Sequence, residues 1–251
     1  MTMRAIILVA GKGTRISRLI NGTPKCCVDI GGIELINHSI NVLNKVGITD
    51  IALITGYGKE KILDVLKGKS VKIYYNPFFE VTNSIASIWF ARDFLQDSKD
   101  IIILNGDVFF EESIVEKCLA SKDEILMLAD SSRIKGADYR FNWKDSTLLK
   151  FGKDLSDNET TGEYVGIAKI SSGFILNFIA RLNKMIESGD YNGWWEDVIY
   201  SFVKEERKIK ILDLKGETFW AEIDYVEDFN RIKEYFDKTN PKRSCDTILY
   251  E

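Results

Sequence analysis

Two glycine-bearing stretches and a few carboxylates carry most of the chemistry legible in this chain. The apolar run Ala5 to Ala10 opens into Gly11-Lys12-Gly13-Thr14-Arg15, and Pro24-Lys25 follows. Glycines at the end of a buried strand let backbone N–H groups approach phosphate oxygens, and Arg15 and Lys25 add positive charge. A dinucleotide fingerprint is excluded because no glycine stands three positions after Gly13, and a P-loop because Lys12 lacks the G-x-x-x-x-G spacing before it. Asp107, in Asn105-Gly106-Asp107, follows the apolar run Ile101 to Leu104; Asp224 ends the stretch Phe219 to Asp224. Two carboxylates from separate strands suit Mg²⁺, a hard ion that prefers oxygen, with Glu222 as a further ligand or a partner of one. Turn or capping roles are the plainer reading of each aspartate taken singly.

Composition removes other chemistries. The single histidine, His38, excludes metal sites built from several imidazoles and leaves a Ser-His-Asp or Cys-His hydrolase dependent on that residue. His38 lies away from every other motif and is expected to be structural. Cys26, Cys27, Cys118 and Cys245 form no C-x-x-C pair, so reduced thiols and a cytoplasmic location are expected. The 251 residues include 34 Lys plus Arg against 38 Asp plus Glu, a formal charge of −4, which argues against nucleic acid as a partner. Yet Arg4, Lys12, Arg15, Arg18 and Lys25 precede the first acidic residue, a local field suited to a small polyanion. No signal peptide and no apolar stretch of about 20 residues is present, so no membrane association is expected.

The elements that must position these groups alternate. Arg4 to Ala10, Ile51 to Thr55, Val71 to Tyr75 and Ile101 to Leu104 read as strands; Ile33 to Val46, Lys59 to Leu66 and Asn83 to Leu95 read as helices. This order implies right-handed βαβ crossovers. Past Asp130, Tyr139 to Trp143, Leu148 to Phe151 and Val165 to Ile170 read as short antiparallel strands. Helices over Ser172 to Ser188, Trp195 to Glu206 and Val226 to Asp237, with a strand at Lys210 to Leu214, complete the pattern. The expected fold is α/β: a Rossmann-like mixed, mostly parallel sheet flanked by helices, with a small antiparallel substrate subregion. One domain is expected over 1–237, with a nucleotide-binding half (1–130), an acceptor-binding half (131–237) and a C-terminal extension (238–251).

At Gly11-Lys12-Gly13-Thr14-Arg15 and Pro24-Lys25 the sequence resembles the sugar-phosphate nucleotidyltransferase superfamily, whose signature is a G-x-G-T/S-R loop followed by Pro-Lys. The resemblance continues through Asn105-Gly106-Asp107 and Glu222-Ile223-Asp224. Gly56-Tyr57, Asn76 and Thr82-Asn83-Ser84 make it most similar to the short cytidylyltransferases that activate phosphocholine and related phosphorylated or phosphonate head groups. Arg15-Ile16-Ser17-Arg18-Leu19-Ile20 departs from the usual Arg-Leu-x-Pro-Leu-Thr. The resemblance implies Mg²⁺ on Asp107 and Asp224, with CMP passing from CTP to an acceptor phosphate or phosphonate. Such a nucleophile is already ionised, so no general base is needed. It further implies Arg15 on the leaving pyrophosphate, Lys25 on the α-phosphate or acceptor, and a nucleotide pocket of Leu8, Ala10, Gly11, Gly13, Thr14, Arg15, Gly56, Tyr57, Asn83 and Ser87.

For the acceptor, Gly162-Glu163-Tyr164-Val165-Gly166 and Trp194-Trp195-Glu196-Asp197 set aromatics beside carboxylates, an arrangement suited to an ammonium group. Glu163, Tyr164, Trp195, Glu196 and Asp197 are the candidates, with Asp138-Tyr139-Arg140 as a weaker rim. A packed tryptophan and a helix start are the plainer reading of Trp194 to Asp197. Two alternatives stay open. One is a sugar-1-phosphate nucleotidyltransferase, which a simple pyrophosphorylase of this length permits. The other is a non-catalytic nucleotide-binding module, against which the joint presence of Arg15, Lys25, Asp107 and Asp224 argues. A monomer or homodimer is expected.

Overall fold

The computed structural model describes residues 3–13, 22–96 and 99–239. Strand β1 (Arg4–Val9) is apolar from Ala5 onward because it lies inside the sheet, with β2 (Ile51–Thr55) and β4 (Ile101–Asn105) parallel on either side. β3 (Lys72–Tyr75) continues the parallel set beyond β2. Helices α1 (Leu35–Lys45), α2 (Lys59–Val65), α3 (Ser84–Phe90) and α4 (Arg92–Leu95) lie between these strands in the chain. The single helix expected over Asn83 to Leu95 is thus two, interrupted at Ala91. α5 (Glu112–Ala120) and β6 (Ile125–Asp130) fill a stretch that the sequence pattern leaves unassigned.

Beyond β6 the sheet becomes mixed. β9 (Gly162–Ile170) is longer than its apolar core suggests and inserts antiparallel between β4 and β6. β10 (Lys210–Asp213) runs parallel to β6, and β8 (Thr147–Gly152) and β7 (Arg140–Lys144) follow antiparallel. β7 also pairs with β9, so the five strands β9, β6, β10, β8 and β7 close into a ring. α6 (Ile175–Glu187) and α7 (Glu196–Val203) cover one face of the sheet and share a core with α3. The other face packs against α1 and α5.

A separate two-stranded ribbon matters most for the site. β5 (Val108–Phe110) and β11 (Trp220–Glu222) pair antiparallel, and the Ile223 N–H donates to the Asp107 carbonyl at 2.9 Å. α8 (Val226–Thr239) packs Ile232 and Phe236 against the ribbon residues Phe109, Ala221 and Ile223. His38 serves this packing: its ring stacks on Phe109 at 4.4 Å, and Nε2 meets the Phe110 carbonyl at 3.0 Å. Burial holds its pKa below the usual histidine value. Fully burying side chains the size of Trp195, Trp220 and Phe110 contributes roughly 2–3 kcal/mol each, so both the sheet and the ribbon have rigid supports.

Candidate active site

A cleft of about 390 Å³ opens at the C-terminal ends of β1 and β4, where ligands bind in open α/β sheets. Its floor is built by close backbone approach. The Gly106 N–H donates to the Leu8 carbonyl at 2.9 Å, and a Cβ on Gly106 would stand 2.5 Å from that oxygen. Glycine is required there if Asp107 is to follow β4 so tightly. Gly13 has a φ of +58°, and a Cβ on it would lie 2.7 Å from Cγ of Lys25. The loop and the lysine therefore occupy one place. Thr14, Arg15 and Arg18 lie outside the described residues.

Lys25 Nζ sits between two carboxylates, 3.0 Å from Asp107 and 2.5 Å from Asp224. Burial would lower its pKa, but Asp107 and Asp224 reverse that effect and hold it above the usual lysine range. Glu222 joins this cluster: one oxygen from each of Asp107, Glu222 and Asp224 lies within 4.8 Å of the others. Burial, then the charges of Asp107 and Asp224, push the Glu222 carboxyl well up. β5 and β11 deliver all three acids. Asp228, in the first turn of α8, accepts the Asp224 N–H at 3.3 Å and the Tyr225 N–H at 3.0 Å.

Leu8, Ala10, Gly11, Asn83 and Ser87 line the cleft. Asn83 caps α3 by accepting the Ser84 N–H, and buried Asn76 donates to the hydroxyls of Thr82 and Ser87. Gly56 and Tyr57 are not among the lining residues. They brace the loop from behind: the Tyr57 N–H donates to the Ala10 carbonyl at 3.1 Å, and a Cβ on Gly56 would approach that oxygen to 2.7 Å.

The acceptor side needs two corrections. Trp195 does not face the cleft; it is fully buried, with Nε1 donating to Asn105 at 2.9 Å and its N–H to Ser84. Trp194 lines the cleft instead. Asp197 is also absent from the wall, and folds back to accept the Trp194 N–H at 2.7 Å. Glu163, Tyr164 and Glu196 do line the cleft, together with Tyr139, Tyr200 and Lys153. Tyr200 was detectable in principle, since it follows Glu196 by four positions and so shares its helix face. The Glu163 carboxyl accepts the Asp138 N–H at 2.7 Å, and Asp138 pairs with Lys153 at 2.9 Å.

Glu196 has an unusual environment. It is 6% exposed, accepts from Asn105 Nδ2 at 3.2 Å, and burial pushes its pKa up to about 8. Because the folded-state value exceeds the unfolded one, the native state binds the extra proton, and stability falls as pH rises from about 4.5 to 8. Glu163, Asp197 and Glu222 are raised too and act in the same direction. Glu196→Gln is expected to remove on the order of 3 kcal/mol of that decline. Urea unfolding at pH 5, 6.5 and 8 measures it; an unchanged slope in the variant would refute the assignment.

Backbone and lysine that can hold a polyanion beside a carboxylate cluster define the class: an enzyme that transfers nucleotidyl groups. The chain belongs to the MobA-like NTP transferase domain family, whose model matches residues 5–153. It is similar to the CTP:phosphoglutamine cytidylyltransferase of Campylobacter jejuni, 25% identical over 248 residues, covering 90% of this chain and 97% of that protein. The choline-phosphate cytidylyltransferase of Streptococcus pneumoniae is 25% identical over 246 residues, covering 95% of this chain and all of the relative. In fold it matches the inositol-1-phosphate CTP transferase of T. maritima with a TM-score of 0.79, at 20% identity over 99% of this chain and 98% of that one. No helix among the described residues is long and apolar enough to cross a membrane.

Proposed function

We propose that the protein is a Mg²⁺-dependent cytidylyltransferase that transfers CMP from CTP to a small phosphorylated or phosphonate head group and releases pyrophosphate. The observation that carries this reading is the convergence of the Gly11–Gly13 backbone, Lys25, Asp107 and Asp224 in one cleft whose opposite wall is aromatic and acidic. The two cytidylyltransferase relatives, matched nearly end to end, support the choice of base.

An ionised acceptor oxygen attacks the α-phosphorus in line, and the P–O bond to pyrophosphate breaks. The protein holds two polyanions together and offsets the charge between them. Backbone N–H groups of Gly11 and Gly13 face the nucleotide phosphates, Arg15 takes the leaving pyrophosphate, and Lys25 serves the α-phosphate or the acceptor. Asp107 and Asp224 would hold the ion, with Glu222 beside them. Their donor set is all oxygen, and one oxygen from each lies within 4.8 Å of the others, which fits a hard divalent cation. When bound, Mg²⁺ would neutralise charge developing on the transferred phosphoryl group. The reaction consumes CTP, and the thiols of Cys26, Cys27 and Cys118 are free; both favour a cytoplasmic site of action.

Pyrophosphate release is the test, measured with each of four NTPs against phosphocholine, aminoethylphosphonate, other amino-bearing phosphates and sugar 1-phosphates. CTP with an amino-bearing head group is the expected productive pair. Turnover with sugar 1-phosphates only would sink the proposal.

A further inference from the structure

The acceptor wall is chemically uneven. Tyr139 stacks on Tyr200 with ring centroids 5.8 Å apart and meets Trp194 edge-on at 5.6 Å, which supplies aromatic surface for a cation. Aromatic faces and negative charge are all that a quaternary ammonium can use, because it has no N–H to donate. This wall holds more. The hydroxyls of Tyr164 and Tyr200 are buried and make no well-formed hydrogen bond among the described residues, with the Glu196 carboxyl beside the first and Tyr139 beside the second. Both residues are more than nine-tenths buried and line the cleft. The Glu196 carboxyl lies close enough to influence the titration of both phenols. Lys153, the one cation lining this wall among the described residues, is paired with Asp138.

Buried hydroxyls left without partners cost free energy that a ligand carrying donors would return. A primary ammonium carries one positive charge and three N–H groups. Two phenol oxygens and a carboxyl match that count, and an ammonium placed beside Glu196 would draw its carboxyl into the ionised form that matches the charge. Three methyl groups in the same place would leave both hydroxyls unsatisfied. We propose, resting on the transfer reaction above, that the acceptor ends in a primary amine remote from its phosphorus, and that Tyr164, Tyr200 and Glu196 recognise its N–H groups.

A matched series separates this from recognition of charge alone: phosphoethanolamine, its N-methyl and N,N-dimethyl forms, and phosphocholine, each assayed with CTP and Mg²⁺. kcat/KM is expected to fall along the series, by at least about tenfold from first to last, as for a site whose polar groups lose their partners. Tyr164→Phe and Tyr200→Phe should lower use of phosphoethanolamine more than use of phosphocholine, and so shrink the ratio. Calorimetric binding of phosphoethanolamine and phosphocholine to the unaltered protein gives a second ranking that needs no turnover. Tighter binding of phosphoethanolamine without transfer would reject the reaction and keep the recognition. Equal or better use of phosphocholine, an undiminished ratio in the phenylalanine variants, or binding of neither compound would overturn the proposal.

Discussion

Asp107→Asn is expected to lower turnover at least about a thousandfold while leaving the protein folded. The substitution keeps size and shape, so the tight turn at Gly106 and the backbone bond from Ile223 to the Asp107 carbonyl are untouched. It removes one charge from a cluster whose three oxygens lie within 4.8 Å of each other. If those carboxylates hold the ion, that charge offsets the ion's own and is needed at the reacting phosphoryl group. Asp224→Asn should behave alike. Glu222→Gln is the internal control: burial already disfavours charge on this carboxyl, so a milder loss, about tenfold, is expected with little cost to the fold. Pyrophosphate release at saturating CTP, followed across Mg²⁺ concentrations, measures all three. Asp107→Asn within tenfold of the unaltered protein would refute the metal assignment.

Local chemistry was the legible part of this molecule. Strands β1, β2 and β4 are largely apolar runs followed within two residues by glycine, and their parallel pairing matches the alternation of strand and helix. The loop at Gly11 and Asp107 follow the C-terminal ends of β1 and β4, so sequence position alone directs them to one edge, whereas Lys25 arrives on a short 3₁₀ turn and Asp224 just past the end of β11. Pairings made over long separations were hidden. The alternation of strands does not disclose that β9 inserts antiparallel beside β4, nor that β7 turns back to pair with it. Neighbouring aromatics posed a second problem. Trp194 and Trp195 are equivalent by composition, and only the distant acceptor Asn105, which takes the Trp195 indole N–H, decides which one is buried. Glu222 was readable as an acid near the site, but its membership of the cluster depends on the β5–β11 ribbon, a pairing across more than a hundred residues.

Lys25→Met addresses the same cluster from the cation side. Lys25, Asp107 and Asp224 are mostly shielded from solvent, with side-chain exposures of 12%, 25% and 15%, so their attraction is only weakly screened. Removing the ammonium leaves Asp107, Glu222 and Asp224 facing one another without the lysine's charge. Breaking a buried pair in this way costs several kcal/mol in a dry interior; with partial exposure, about 2 kcal/mol is expected here. kcat/KM should also fall about a thousandfold, because the charge that meets the phosphoryl oxygens is gone. The two losses respond differently to magnesium. If Lys25 and the ion share carboxylates, Mg²⁺ has most to offset where the lysine is missing. Millimolar Mg²⁺ is expected to raise the melting temperature of Lys25→Met by roughly 5 °C, and that of the unaltered protein by much less, while activity stays low. Differential scanning calorimetry with and without the ion makes the comparison. Equal responses in the two proteins would mean that lysine and ion do not share those carboxylates, and the ion would have to be placed elsewhere in the cleft.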